Sequence, residues 1–98
     1  MYEIGFTDIF DRWLDKLKDG KARAKITARI DRLRDGNFGD VKPVGEGIRE
    51  LRIHYGPGYR VYFTKQGKKI VLVLYGGSKK TQAKDIKLAK ELAQQIKT

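Results

Sequence analysis

The chain has 98 residues with 22 Lys+Arg against 12 Asp+Glu, a formal charge of +10 and a pI of about 9.9. This length predicts one domain spanning residues 1–98, with no room for two independent cores, and the absence of Cys excludes disulfide frameworks, cysteine–zinc sites and thiol nucleophiles. The longest apolar stretch, Ile70–Tyr75, is far short of the roughly 20 residues that span a bilayer, and Met1-Tyr2-Glu3-Ile4 opens no signal peptide. The expectation is therefore a soluble, cytoplasmic, basic protein with no membrane association and a polyanionic partner.

In chain order, Met1–Gly5 reads as a short opening strand. Phe6, Ile9, Phe10, Trp13, Leu14 and Leu17 then recur at the spacing of an amphipathic helix, with Thr7 or Asp8 as its cap and Asp19-Gly20 as its stop. A second helix is predicted from about Lys21 to Asp35, with Ala22, Ile26, Ile30 and Leu33 on one face, and the short break makes an antiparallel helical hairpin. Gly36–Gly47 holds four glycines and Pro43 and reads as an irregular connection. The periodicity then changes to two: Leu51 and Ile53 alternate with Glu50, Arg52 and His54, and Val61 and Phe63 with Arg60, Tyr62 and Thr64. Ile70–Tyr75 is apolar on both faces and reads as a central strand closed by Gly76-Gly77. A last helix is predicted from Thr81 to Lys97, with Ile86, Ala89, Leu92, Ala93 and Ile96 inward. The fold class is α+β, in the order β-α-α-β-β-β-α: a small antiparallel meander with the helical hairpin on one face and a C-terminal helix.

The charge is unevenly distributed. Residues 1–35 carry a net of +2 and residues 36–98 a net of +8, and the window Arg49–Lys80 holds eight cations against Glu50 alone. Lys65, Lys68 and Lys69 read as ordinary solvated positions. If Leu51, Ile53, Val61 and Phe63 face the helices, Glu50, Arg52, His54, Arg60 and Tyr62 are left on the opposite, open face. That face reads either as a solvated sheet surface with an Arg52–Glu50 ion pair, or as a phosphate groove in which guanidinium groups grip the anion and Tyr62 stacks on a base. The single histidine, His54, excludes a histidine metal cluster. Gly76-Gly77-Ser78 precedes a helix and its amides could receive a phosphate, while Lys79 and Lys80 sit at that helix start, where the dipole disfavours cations.

Three strings carry a resemblance: Glu50-Leu51-Arg52-Ile53, Gly56-Pro57-Gly58-Tyr59-Arg60-Val61-Tyr62-Phe63, and Leu74-Tyr75-Gly76-Gly77-Ser78-Lys79-Lys80 followed by Gln82, Asp85-Ile86 and Ala89. Across nearly the whole chain they resemble the RelE/ParE toxin superfamily, and within it the HigB-like addiction module killer proteins, also called phage-derived Gp49-like. The resemblance implies a type II toxin held by a cognate antitoxin, itself of helix-turn-helix type and encoded next door. It also implies a metal-independent endoribonuclease that cuts mRNA on the ribosome and needs no cofactor. It makes Arg60 the contact to the scissile phosphate, Arg52 a second active-site cation and Lys79 or Lys80 a third. His54 and Tyr62 would stack or shuttle protons, with Arg49, Lys79, Lys84 and Tyr75 as further RNA contacts. The late aromatic or histidine of such toxins is missing, since no Tyr, Phe, Trp or His follows Tyr75. His54, Tyr62, Tyr75 or Glu50 would then take that part. Two alternatives stand beside the nuclease: a ParE-like toxin that blocks gyrase by binding, and a non-toxic basic nucleic-acid-binding module.

Overall fold

A computed structural model describes residues 1–96, and its strands form one five-stranded sheet in the order β1-β5-β4-β3-β2. The strands are β1 (Glu3–Phe6), β2 (Val41–Gly45), β3 (Ile48–Ile53), β4 (Tyr59–Gln66) and β5 (Ile70–Ser78). The helices are α1 (Asp8–Lys16), α2 (Gly20–Arg34) and α3 (Gln82–Ile96), with a 3-10 turn at Lys79–Thr81 leading into α3. Lys97, where the last helix was expected to end, lies outside the described residues.

Local chemistry sets the helix starts. The Thr7 hydroxyl accepts from Phe10 N at 3.1 Å and donates to Leu74 O at 2.6 Å, so one side chain caps α1 and ties it to β5. Asp19 caps α2 through Lys21 N and Ala22 N, and the Tyr55 hydroxyl donates to its carboxylate at 3.1 Å. The two helices expected from sequence thereby follow one another with a break of three residues, Leu17–Asp19, and the start of α2 is tied to the segment just past β3.

The meander is as expected from β3 through β5, and the class is mixed α+β, but the sheet is larger than three strands plus an opener. Val41–Gly45 inside the glycine-rich connection is a strand at the sheet edge, where Pro43 costs no ladder bond that a central strand would need. β1 pairs parallel with β5, Glu3 opposite Ile70 and Phe6 opposite Val73. β5 does not stop at the glycines but runs through them to Ser78.

The larger core lies between the sheet and the hairpin. Leu51, Ile53, Tyr59, Val61, Phe63, Val71 and Val73 meet Phe10, Ala22, Ile26, Ile30 and Leu33 there. A smaller core lies on the opposite face, where Ile48, Tyr62 and Leu74 pack against Ala89 and Ala93 of α3. This overturns the expected open face: α3 covers it. The apolar stripe of α3 needed a partner surface, and β5, apolar on both sides, supplied one. Ile96, expected inward, ends α3 at 41% exposure.

Candidate functional site

The expected site residues separate into a buried group and an exposed group. Arg52 and Arg60 are direct cross-strand partners, as are Glu50 and Tyr62, so all four share the α3 face of the sheet. Arg60 Nη1 donates to Glu50 Oε1 at 3.0 Å, and Gln82 Nε2, from the first turn of α3, donates to Glu50 Oε2 at 2.8 Å. Glu50 is wholly buried and the Arg60 side chain is 11% exposed. Tyr62 is wholly buried as well. Among the described residues its hydroxyl and Arg60 Nε have no hydrogen-bond partner, and burial, followed by the nearby Glu50 charge, pushes the Tyr62 hydroxyl far above the usual tyrosine range. The structure corrects the expectation that Arg60 and Tyr62 stand on an open groove. It also replaces the Arg52–Glu50 pair with Arg60–Glu50, because Arg60 lies nearer the α3 cover than Arg52 does.

Arg52 turns the other way, toward the loop before β2. Its Nε and Nη2 donate to Asp40 Oδ1 at 3.3 and 3.0 Å, and the Asp40 backbone carbonyl accepts from Arg52 N at 3.0 Å. The second Asp40 oxygen accepts from His54 Nε2. A carboxylate can only accept, so this contact places the proton on Nε2 and leaves Nδ1 as the ring's basic nitrogen. The His54 hydrogen bond, and then that of Arg52, holds the Asp40 carboxyl below the usual carboxylate range. Asp40 reaches this position because Gly39 adopts φ +66°, with Arg29 Nη2 only 2.8 Å from where a Cβ would stand.

The His54 side chain is 73% exposed. Beside it a cleft of about 410 Å³ opens between α2 and the end of β3, lined by Lys25, Arg29, Arg32, Ile53, His54 and Tyr55. Arg29 Nη1 donates to Arg52 O at 2.8 Å, and Lys25 Nζ stands 5.3 Å from the centre of the Tyr55 ring. A histidine oriented by a carboxylate at the mouth of a cation-lined cleft can accept a proton next to a bound phosphate. Among the described residues, no three His, Asp or Glu side chains come together as a metal site.

The remaining expected contacts are dispersed. Lys79 and Lys80 are exposed on the turn before α3, and Lys79 N donates to Gly58 O at 2.7 Å. Arg49 lies on the hairpin side of the sheet with its guanidinium 5.8 Å from the Phe38 ring centre. Tyr75 and Lys84 line a second cleft, beside Gly76 and Gly77. Sequence reasoning missed Asp40, Lys25, Arg29 and Arg32. On α2 the three cations look like any solvated helix face. Asp40 sits in a glycine-rich loop whose only signal was a carboxylate within a strongly basic half of the chain.

An uncharacterised protein of Haemophilus influenzae is 57% identical over 94 residues, covering 96% of this chain and 95% of its own length. The family model of the phage-derived Gp49-like proteins (DUF891) matches residues 12–97. By that span, which holds every residue of both clefts, the chain belongs to the phage-derived Gp49-like family.

Proposed function

We propose that this protein is the toxin of a type II toxin–antitoxin pair, of the RelE/ParE superfamily and HigB-like, and that it acts as an mRNA interferase on the ribosome. The observation that carries the reading is the Asp40–His54–Arg52 cluster, whose His54 lines the cation-rich cleft. In this reading His54 Nδ1 takes the proton of an RNA 2′-hydroxyl as its oxygen attacks the adjacent phosphorus. The new 2′-O–P bond replaces the P–O5′ bond, the departing 5′ oxygen takes a proton from water, and a 2′,3′-cyclic phosphate remains. Arg52 and the cleft cations offset the extra charge of the transition state, so the role is electrostatic and needs no metal in this scheme. Arg60 acts through the fold, holding Glu50 and the start of α3, rather than on the phosphate. The +10 charge serves docking to ribosomal RNA, with affinity falling steeply as salt rises. The cognate antitoxin, a small helix-turn-helix protein, would neutralise the same basic end with an acidic segment.

The test is primer extension on a reporter mRNA after induction, together with growth arrest. His54→Ala should lower cleavage by about 10²–10⁴-fold, the usual contribution of a general base, while thermal unfolding stays close to that of the parent. Undiminished cleavage by a folded His54→Ala protein would remove the reading.

One observation favours a second reading. The motif arginine, Arg60, is neutralised inside the fold, as suits a toxin that blocks its target by binding. Inhibition of gyrase supercoiling by the purified protein, with cellular mRNA intact, would select it.

A further inference from the structure

The second cleft, of about 390 Å³, lies at the same end of the sheet as the first. Ile53, Tyr59 and Ser78 are successive cross-strand partners, so β3 borders one cleft and β5 the other. Adjacent strands are about 4.8 Å apart, which sets the β3 and β5 backbones that border the two clefts roughly 10 Å from each other. β1 pairs with β5 only as far as Val73, and the Thr7 hydroxyl takes the Leu74 carbonyl, so among the described residues no strand flanks β5 beyond Leu74 on its β1 side.

The walls of this cleft combine two kinds of surface. Trp13 of α1, Leu17 just beyond that helix and Tyr59 supply an apolar wall on the hairpin side of β5, and Trp13 meets Tyr59 edge-on with ring centres 6.3 Å apart. On the α3 side stand Tyr75, Thr81, Lys84 and Asp85. Asp85 is only 4% exposed and is placed by close approach: a Cβ on Gly77 would lie 1.8 Å from Asp85 Oδ2. On the other side of the strand, a Cβ on Gly76 would lie 2.4 Å from the Trp13 ring. The adjacent glycines thus admit the aromatic wall from one side and the carboxylate from the other. A register slip opposite Tyr62 and Phe63 puts Tyr75 across from Tyr62. Thr81 Oγ1 donates to Asp85 Oδ2. Burial raises its pKa, so two further N–H donors would stabilise its ionised form.

We propose that this cleft is a nucleobase pocket selective for guanine, with Trp13 and Tyr75 as stacking surfaces and Asp85 as the reader of the base edge. Guanine presents N1–H and N2–H side by side, the donor pair that a carboxylate accepts, and its O6 beside them is an acceptor for Lys84. Uracil and cytosine offer smaller rings and one fewer matching donor, and adenine offers an acceptor where guanine has N1–H. The proposal rests on the reading of the protein as one that acts on RNA. It gives that RNA a fixed guanine within a nucleotide or two of the phosphate held beside His54.

Trp13 is the chain's one tryptophan, so its fluorescence reports directly on this cleft. Purified protein titrated with GMP, AMP, CMP and UMP in turn carries the same phosphate each time, which cancels phosphate binding. The expected result is saturable quenching with GMP at an affinity at least about tenfold above the other three, the discrimination of a good bidentate base contact. Asp85→Asn, which preserves shape and replaces one acceptor with a donor, should abolish that preference while the protein remains folded by thermal melt. Equal quenching by all four nucleotides, no saturable quenching, or a GMP preference that survives in Asp85→Asn would overturn the proposal. The readout involves no cleavage. A GMP-selective protein that cuts no RNA would sink the nuclease reading alone, and a nuclease without GMP selectivity would sink the pocket alone.

Discussion

Arg52 and Arg60 face each other across two paired strands, yet they sit in different chemical worlds. Arg60 and Glu50 are an ion pair withdrawn from water beneath α3, while Arg52 and Asp40 are one that water reaches, with side chains 34% and 36% exposed. A buried pair costs much to desolvate, and the cost is offset only while both partners remain. An exposed pair adds little net stability and is free to serve a ligand instead. The same residue type, one strand apart, therefore answers to the fold in one case and, in the function proposed above, to chemistry in the other. An activity assay on Arg60 variants that omits a folding control would confuse the two.

The largest effect should come from breaking the buried pair. Arg60→Ala or Glu50→Ala leaves an uncompensated charge and should cost about 3–5 kcal/mol, read as a drop of well over ten degrees in Tm. The double variant Arg60→Met/Glu50→Leu should recover much of that loss, and if it fell below both singles, the account of Arg60 as structural would be wrong. Next come the two glycines. Gly77→Ala drives a methyl group into Asp85 and Gly76→Ala drives one into Trp13. Each should cost about 1–3 kcal/mol as overpacking, measurable by urea denaturation, and both should blunt Trp13 quenching by GMP.

Smaller effects separate the regions by pH. The Asp40 carboxyl is depressed by His54 and Arg52, so it contributes stability above its unfolded pKa. That contribution is lost as pH falls through the lower folded value, on the acid side of about pH 4. Tyr62 is the opposite case. Its raised pKa contributes stability below the unfolded value of about 10, and this is lost as pH rises beyond it. Asp40→Asn should flatten only the acid limb of a Tm-against-pH curve, and Tyr62→Phe only the alkaline limb. The smallest effect has an unusual sign. Burial raises the pKa of Asp85, so its ionised form is a stability cost at neutral pH. Asp85→Asn should therefore raise Tm slightly while removing guanine selectivity, the pattern of a group kept for binding rather than for folding.

Much of this was legible from residue spacing. The Thr7 cap, the hairpin break at Asp19-Gly20 and the alternation in β3 and β4 all follow from local rules that the tertiary structure did not override. Alternation assigns a residue to a face but does not say what covers that face. Glu50, Arg60 and Tyr62 therefore read as exposed until α3 was placed over them. The signal was present in β5, whose residues are apolar on both sides and which needed cover on both. β2 was hidden because Val41-Lys42-Pro43-Val44 is short, edge-located and interrupted by proline, which erases strand periodicity. Asp40 was hidden for a different reason: its partners Arg52 and His54 lie 12 and 14 residues away, joined by loop geometry and not by any period.

The pairing of β1 with β5 has a consequence for how the chain comes into being. Glu3 meets its partner only at Ile70, and β5 stands between β1 and β4. During synthesis the opening strand has no neighbour in the sheet until most of the chain has been made, and the opposite face of the sheet stays bare until α3, the last element, has followed β5. Such long-separation contacts raise the contact order and slow folding. The cleft beside Trp13, whose walls include Tyr75, Thr81 and Asp85, would then assemble only once the polypeptide is nearly complete. A nascent copy still attached to the ribosome that is making it would carry the His54 cleft's residues long before the wall that closes the Trp13 cleft.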